Sequence, residues 1–497
     1  MDAPKLNVKR TIFVGFAFFL IMAFWQAYDA IMPLMLINKF GMNQTLSGAI
    51  MALDNVLAVF LLPVFGALSD KCSTRQGKRT PFIIIGTLAA ASFFLALTFI
   101  DNYQLMLITQ AGVPATDTSG LDSEAASALL AEKAWEVTLS QPVPLICFIM
   151  LLLFTLVAMS LFRSPAVALM PDVTVKPLRS KANAVINLMG TAGGIIVLIL
   201  GMLFKTSGSS YMDYSGFVAA TCAVMLIGLI VFAVTVKEPA WNKEMLLRQA
   251  EIDALCPPKE NASAESEKAD IPAENGKTAE ADASSPAEKP KSDKSKLFSL
   301  ALILASVALW FMGYNAVTSK YSVYATNILH QDFNLTLIIA QAAAVIAYIP
   351  VGIIAGKLGR KKTIIIGVAM LFAAFTAGAF IRESTPAFAM YALFALAGVA
   401  WATINVNSFP MVVELSTGEN IGKYTGYYYT ASMAAQIITP VLSGLLLDVS
   451  MLFLFPYAAA FVLLSGVTML FVKFGNAQDL GGKTAKQLIE DNFSAED

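Results

Sequence analysis

The sequence predicts an all-α integral membrane protein with twelve transmembrane helices in two six-helix bundles, and three observations carry that reading. Of 497 residues, 57% are hydrophobic and only 14% charged, with a mean hydropathy of +0.66, a balance foreign to soluble domains. Apolar windows of roughly 20 residues, the length that crosses a bilayer, recur about twelve times, centred near residues 24, 57, 91, 156, 194, 225, 312, 346, 372, 398, 436 and 462. The chain also repeats itself. At an offset of 286 positions Gly66 falls on Gly352, Asp70 on Gly356, Lys71 on Lys357, and Tyr28-Asp29-Ala30 on Tyr314-Asn315-Ala316. Repeats of this length in a hydrophobic chain mark the paired bundles of secondary transporters.

Taken in order, the first span follows Lys9 and Arg10, exceeds 20 residues and lacks a small-residue cleavage signal. It therefore reads as a retained helix rather than a secretory leader. The second span runs into the glycine-and-basic turn PVFGALSDKCSTRQGKRTPF at Pro63 to Phe82, and the eighth into GIIAGKLGRKK at Gly352 to Lys362. Between the third and fourth spans, residues 101–141 read as an acidic external loop with a short helix expected around Ser123 to Val137. The N-terminal bundle is then 1–237. From Glu238 to Leu255 the spacing of Trp241, Met245, Ile252 and Leu255 suggests a helix along the membrane surface. Residues 259–296 are rich in Ala, Glu, Lys, Ser and Pro, and so few large apolar groups cannot offset the entropy of ordering. Segment 238–296 is accordingly a cytoplasmic linker, largely disordered after 256; 297–473 is the C-terminal bundle and 474–497 a cytoplasmic tail.

Basic residues orient these spans, because Lys and Arg favour short cytoplasmic loops. Fifteen, among them Lys9, Arg10, Lys71, Arg79, Lys181, Arg360 and Lys423, fall on the side of the termini, while Lys39, Lys133, Lys205 and Arg382 fall opposite. Both termini are expected in the cytoplasm. The net charge of −1 says nothing about nucleic acid, and no basic stripe interleaved with aromatics suggests it, so no nucleic-acid partner is expected. Cys72, Cys147, Cys222 and Cys256 have neither metal-ligand spacing nor a disulfide pattern, so no metal is expected. His330, in a distal loop, reads as a surface residue. Without a nucleophile–base pair the chain does not read as an enzyme.

The informative charges are those within spans. Asp29, Asp54, Arg163 and Lys320 have no place in a loop, and each costs roughly 2.5–3.5 kcal/mol to insert unless it faces water or an opposite charge. Asp29 and Asp54 lie at similar depth on antiparallel spans, about 5–6 Å beyond the midplane at 1.5 Å per residue. Carboxylates so placed resist ionising together, which makes them the proton-coupling candidates. Arg163 and Lys320 could bind a substrate oxygen or neutralise a carboxylate. A second offset, 242, puts Asp172 on Glu414, Lys181 on Lys423, and Asn183, Asn187 and Gly190 on Thr425, Tyr429 and Ser432. Asp70, Arg79, Asp172, Lys181, Arg360, Glu414 and Lys423 are thus gating candidates, forming inner-face pairs that break as the protein changes state. From Thr425 through Gln436 to Ser443 one polar face runs along the eleventh span and should meet protein or water. Trp25, Tyr28, Asn55, Asn187, Tyr314, Asn315, Trp401, Asn405, Tyr429 and Gln436 complete a binding set with Arg163 and Lys320. Flat rings cover apolar sugar faces while amides and charges take hydroxyls; Trp310 and Asn407 belong to the same concentration of aromatics and amides.

The run Pro63 to Gly86 resembles the signature of the glycoside–pentoside–hexuronide cation symporters of the major facilitator superfamily, and Arg163 to Asn183 (RSPAVALMPD, then RSKAN) is similar to the sucrose-transporter-like branch. The resemblance implies glycoside uptake coupled to a cation by alternating access, with the site between the halves. Two departures matter. The paired carboxylates of the melibiose permease relatives correspond here to Ala58 and Leu62, and the aspartate of the plant sucrose proteins to Leu156. A proton, carried by Asp29 and Asp54, is therefore expected rather than sodium, with no other cofactor. The expectation is a proton-coupled sugar symporter, for a disaccharide or related glycoside, working as a monomer in a bacterial inner membrane. A drug or metabolite exporter, or a non-transporting sugar sensor, is the alternative.

Overall fold

An apolar chain in lipid must satisfy its peptide groups internally, which leaves the helix as the solution for isolated spans. The computed structural model describes residues 6–175, 178–255, 290–415 and 421–474; the disorder expected over 257–289 and the tail from 475 lie outside the described residues, whereas 290–296, expected in the linker, are the first two turns of a helix that continues into the apolar span. Fourteen α-helices occur among them: α1 Val8–Leu34, α2 Gln44–Lys71, α3 Thr80–Gln110, α4 Ser123–Ser140, α5 Val143–Val173, α6 Arg179–Leu203, α7 Ser215–Thr235, α8 Glu238–Leu255, α9 Pro290–Asn327, α10 Phe333–Leu358, α11 Arg360–Gly378, α12 Ala387–Val413, α13 Ile421–Leu447 and α14 Leu454–Leu470. Eleven are long and apolar enough to cross a membrane, and α10, apolar over Phe333–Tyr348, is the twelfth spanning helix. Helices α1–α3 and α5–α7 form one half, and α9–α14 the other. The face that carries Val8 and Leu470 is called proximal below, and the opposite face distal.

Both halves use the same internal packing. Gly86 on α3 lies so close to α5 that an added Cβ would sit 3.1 Å from the Ala158 carbonyl oxygen, and Gly367 on α11 would place one 3.1 Å from that of Ala400 on α12. Ala158 and Ala400 are related by the 242 offset, so the repeat extends to the contact itself. Small residues at such crossings let backbones approach without help from water-driven burial.

At the distal end the structure corrects the sequence reading. Helix α1 continues as a π-helical turn, Met35–Lys39, and α3 runs through Asp101 to Gln110, ten residues into the expected loop. Lys39 is therefore not a loop residue. Its ammonium pairs with Asp101, both side chains fully buried, and sits 4.6 Å from the Tyr214 ring centroid. Gln104 Nε2 donates to the Lys39 carbonyl (3.1 Å) and to Thr138 Oγ1 (2.9 Å). Each charge makes burial of the other tolerable, and a search for isolated charges overlooks a pair 62 residues apart. The expected short helix is present as α4, and His330 is more than half exposed, 3.9 Å from Glu383.

On the proximal face, the expected surface helix α8 is fastened to the first half. The Glu238 carboxylate accepts from the backbone N–H groups of Lys78 (2.9 Å) and Thr80 (2.8 Å) and from Thr80 Oγ1 (2.7 Å), capping the otherwise free start of α3. Gly77, at φ +115°, admits that carboxyl group, since a Cβ there would lie 2.3 Å from it. Arg10 packs over Trp241, and its hydrogen bond to Glu244 holds that carboxyl below the usual carboxylate range. Arg79 binds Asp70 and Asp172, the latter at 2.9 Å, while Lys78 reaches Asp172 at 3.2 Å. In the second half Arg360 pairs with Glu414. In each half, then, an acid at the end of the fourth spanning helix pairs with an arginine at the start of the third, so these pairs close within a half rather than between halves. The side chains of Lys181 and Lys423 lie outside the described ones.

Two stability predictions follow from these pairs. Lys39→Met should lower unfolding stability in detergent by about 3–5 kcal/mol by stranding Asp101, and Lys39→Met/Asp101→Leu should regain most of it. Equal melting of the single and double variants would sink the idea. Asp172→Asn, which takes the less exposed of its two carboxylates from the almost fully buried Arg79 and the ion-pair partner from Lys78, should melt lower than Asp70→Asn. Asp70 is 58% exposed, where a pair contributes at most about 1 kcal/mol.

Candidate functional site

The halves meet along α2 and α13, α1 and α9, and α6 and α10. Distally they are pressed together: a Cβ on Gly48 would lie 2.0 Å from the Pro440 carbonyl oxygen, and Asn327 Nδ2 donates to Asn38 Oδ1 at 2.7 Å. Asp448, just past α13, accepts from the N–H groups of Gln44 and Thr45 and from the Thr45 hydroxyl at the start of α2. Lys320 belongs to this seal. It is fully buried and donates 2.9 Å to the Gln44 carbonyl, within electrostatic reach of Asp448. It lies apart from the central cavities.

Beneath the seal, where the two halves face each other, lie two adjoining cavities of about 200 and 280 Å³. The smaller is polar. Around it stand eight of the expected residues: Trp25, Tyr28 and Asp29 from α1, Asp54 and Asn55 from α2, Arg163 from α5, Asn315 from α9 and Gln436 from α13. Helix periodicity explains the gathering, because Trp25, Tyr28 and Asp29 are three and four apart and share a face. Asn55 Nδ2 donates 2.7 Å to Asp54 Oδ1. The Arg163 guanidinium lies over the Trp25 ring at 5.5 Å and within electrostatic reach of Asp54, as Asp54 is of Asp29. Trp25 Nε1, Tyr28 Oη and Asn315 Nδ2 are buried with no hydrogen-bond partner among the described residues. Buried donors are costly when unpaired, so a ligand that accepts from them would gain on binding.

The larger cavity is mostly apolar and aromatic. Tyr314 and Trp401 stack at 3.8 Å with ring planes 7° apart, and Phe311 meets Trp401 edge-on. Leu337, Ala340, Ala344 and Val345 of α10 form the opposite wall. Its polar groups include Gln26, Thr191, Thr318, Ser322, Gln341 and Tyr348. Gln341 Nε2 donates 2.6 Å to Gln26 Oε1 and so joins the halves at mid-depth. Asp29 and Thr318 border both cavities.

The remaining expected residues stand apart. Asn405 reaches the cavity through its hydrogen bond with Tyr348. Asn187 is exposed and donates back to Asn183 within α6. Tyr429 is 54% exposed and packs edge-on against Tyr428. Trp310 is buried in the core, and Asn407 donates within its own helix. Sequence reasoning missed Gln26, Gln341, Thr318, Ser319 and Ser322. The last three continue from Asn315 at steps of three, four and seven, a polar stripe as regular as the one recognised on α13.

The comparisons with known proteins agree on the fold. The MFS_1 like family matches residues 16–327, and the Major Facilitator Superfamily residues 301–490. Over 126 residues the chain is 29% identical to an uncharacterized MFS-type transporter of Methanocaldococcus jannaschii, a match that spans 25% of this chain and 30% of that protein. A D-xylose-proton symporter superimposes with a TM-score of 0.61 over 95% of this chain and 99% of its own, at 16% identity. A bacterial homologue of the iron transporter ferroportin, inward-facing, gives 0.60 over 94% and 99%, at 12% identity. The peptide transporter POT with bound sulfate gives 0.59 over 93% and 94%, also at 12%. Identities this low speak for the fold alone. With two six-helix halves, a cavity between them and a family match over more than half its length, the chain belongs to the major facilitator superfamily as a multi-pass membrane transporter.

Proposed function

We propose that this transporter is a proton-coupled sugar symporter, taking a disaccharide or related glycoside inward by alternating access. The observation that carries the reading is the position of Asp29. It borders both the polar cavity that holds Asp54 and Arg163 and the aromatic cavity that holds Tyr314, Trp401 and the Gln26–Gln341 bridge. One side chain can thus respond to a proton and to a substrate.

Charge balance supports the proton. Two carboxylates face a single guanidinium, and one added proton cancels the charge left over. Ring faces with neighbouring amides and hydroxyls suit a sugar, and two adjoining lobes suit a two-unit one. Among the fold neighbours, the D-xylose-proton symporter carries a sugar with a proton. The motif runs Pro63 to Gly86 and Arg163 to Asn183 favour the glycoside–pentoside–hexuronide branch. The basic bias makes the proximal face cytoplasmic, in a bacterial inner membrane, and the protein works as a monomer with no cofactor beyond the coupling proton. In this reading protonation at Asp29 and Asp54 from the distal side favours sugar binding, the distal seal closes as observed, and both ligands leave proximally. A lipophilic cation would also meet aromatic faces and carboxylates, which is the case for an exporter.

Proteoliposomes offered radiolabelled sucrose, maltose, melibiose, glucose and a glucuronide should accumulate at least one sugar only under an inward proton gradient. Binding of lipophilic cations with no sugar uptake would favour the exporter. Asp29→Asn and Asp54→Asn should lose gradient-driven accumulation while retaining sugar exchange; unchanged accumulation in either variant removes that residue as carrier. Trp401→Ala should weaken sugar binding by about tenfold, on the order of 1.4 kcal/mol. Unaltered affinity would remove the aromatic lobe from the binding site.

A further inference from the structure

Helix α4 belongs to the first half by sequence and by packing. Thr138 Oγ1 donates 2.9 Å to the Phe40 carbonyl, and Ala134 is fully buried beside Ile108 and Val113. At Gly41, φ +70°, a Cβ would lie 2.2 Å from the Trp135 backbone nitrogen, so the two backbones are in direct contact. The opposite end of α4 reaches across the distal seal. Glu124 accepts from Ser450 Oγ at 3.0 Å and from the Met451 N–H. Ser123 donates 2.9 Å to Glu383, and Ser127 is 3.4 Å from the Asn327 carbonyl. Three separate segments of the second half are held by a single helical turn or two of the first.

The Glu124 contact has a specific physical character. Met451 opens a 3₁₀ turn, Met451–Phe453, that runs directly into α14, so its N–H is one of the free donors at a helix start. A carboxylate there satisfies the donor and complements the helix dipole. Asp448 makes the mirror contact, capping α2 of the first half from the second. Each half therefore supplies a carboxylate that caps a helix of the other. Opening the distal face must break both caps together and return two helix starts to water.

We propose that α4 is a latch: its Glu124, acting reciprocally with Asp448, sets how far the transporter's equilibrium lies toward the distally closed state. The device concerns the conformational equilibrium and holds whatever the substrate is. It separates the cost of opening from the central cavity, so that the bias can be altered without touching Asp29, Asp54 or the aromatic lobe.

Hydrogen–deuterium exchange on the full chain in lipid nanodiscs tests this without any substrate. Glu124→Ala should raise exchange about fivefold to thirtyfold, the effect of losing one helix cap, in residues 44–51 as well as in 444–453. The first segment is the decisive one, because Glu124 makes no hydrogen bond to it, whereas Asp448 holds its Gln44 and Thr45 N–H groups from across the seal. Glu136→Ala, on the same helix but exposed, should match the parent protein. Glu124→Cys/Ser450→Cys, in a background with the native cysteines replaced, should cross-link on oxidation and depress exchange at 44–51 below the parent until reduced. Unchanged exchange at 44–51 in Glu124→Ala, or in the oxidised pair, would overturn the proposal.

Discussion

A charge can remain inside a bilayer only where another charge, a hydrogen-bonding group or water meets it, and this constraint organises the protein. Its intramembrane charges resolve into three arrangements with three consequences. Lys39 and Asp101 neutralise each other completely and join α1 to α3 beneath α4. Lys320 finds a backbone carbonyl and the reach of Asp448 at the distal seal. Asp29, Asp54 and Arg163 are left with one negative charge in excess at the edge of a cavity, the arrangement with most to gain from a proton. Staple, seal and, on the proposed reading, proton carrier arise from one physical demand met in different surroundings.

The internal repeat distributes these roles unevenly. Tyr28 and Tyr314 are equivalent positions, and so are Asp29 and Asn315, yet all three charged groups of the polar cavity come from the first half. The stacked Tyr314 and Trp401, with Gln341, come from the second. A duplicated scaffold thus keeps its helix contacts, as at Ala158 and Ala400, while the two halves specialise. On the proposed reading the first half carries the proton, the second most of the sugar, and Gln26–Gln341 joins them.

The sequence made the spanning helices, their grouping and the polar cavity readable, because hydropathy, repeat offsets and helical spacing are all local or periodic signals. Eight expected residues meet in one cavity for that reason. What stayed hidden depended on long-range pairing. Lys39 reads as a loop residue unless Asp101 is placed beside it, and Asp172 and Glu414 pair within their own halves, since the fourth helix ends where the third begins. Gln26 and Gln341 offered no common pattern, because two isolated amides in different halves acquire meaning only when the halves are docked. Thr318, Ser319 and Ser322 were legible in principle, lying on the face that Asn315 begins.

The most direct test of the central claim is to follow lumenal pH in proteoliposomes that enclose a pH-sensitive dye, with no imposed proton gradient, while a transported sugar is added outside. Downhill sugar entry should acidify the lumen, with the signal absent in Asp29→Asn. Sugar entry at normal rate with no change in lumenal pH would contradict proton coupling and, with it, the role assigned to the carboxylate that borders both cavities.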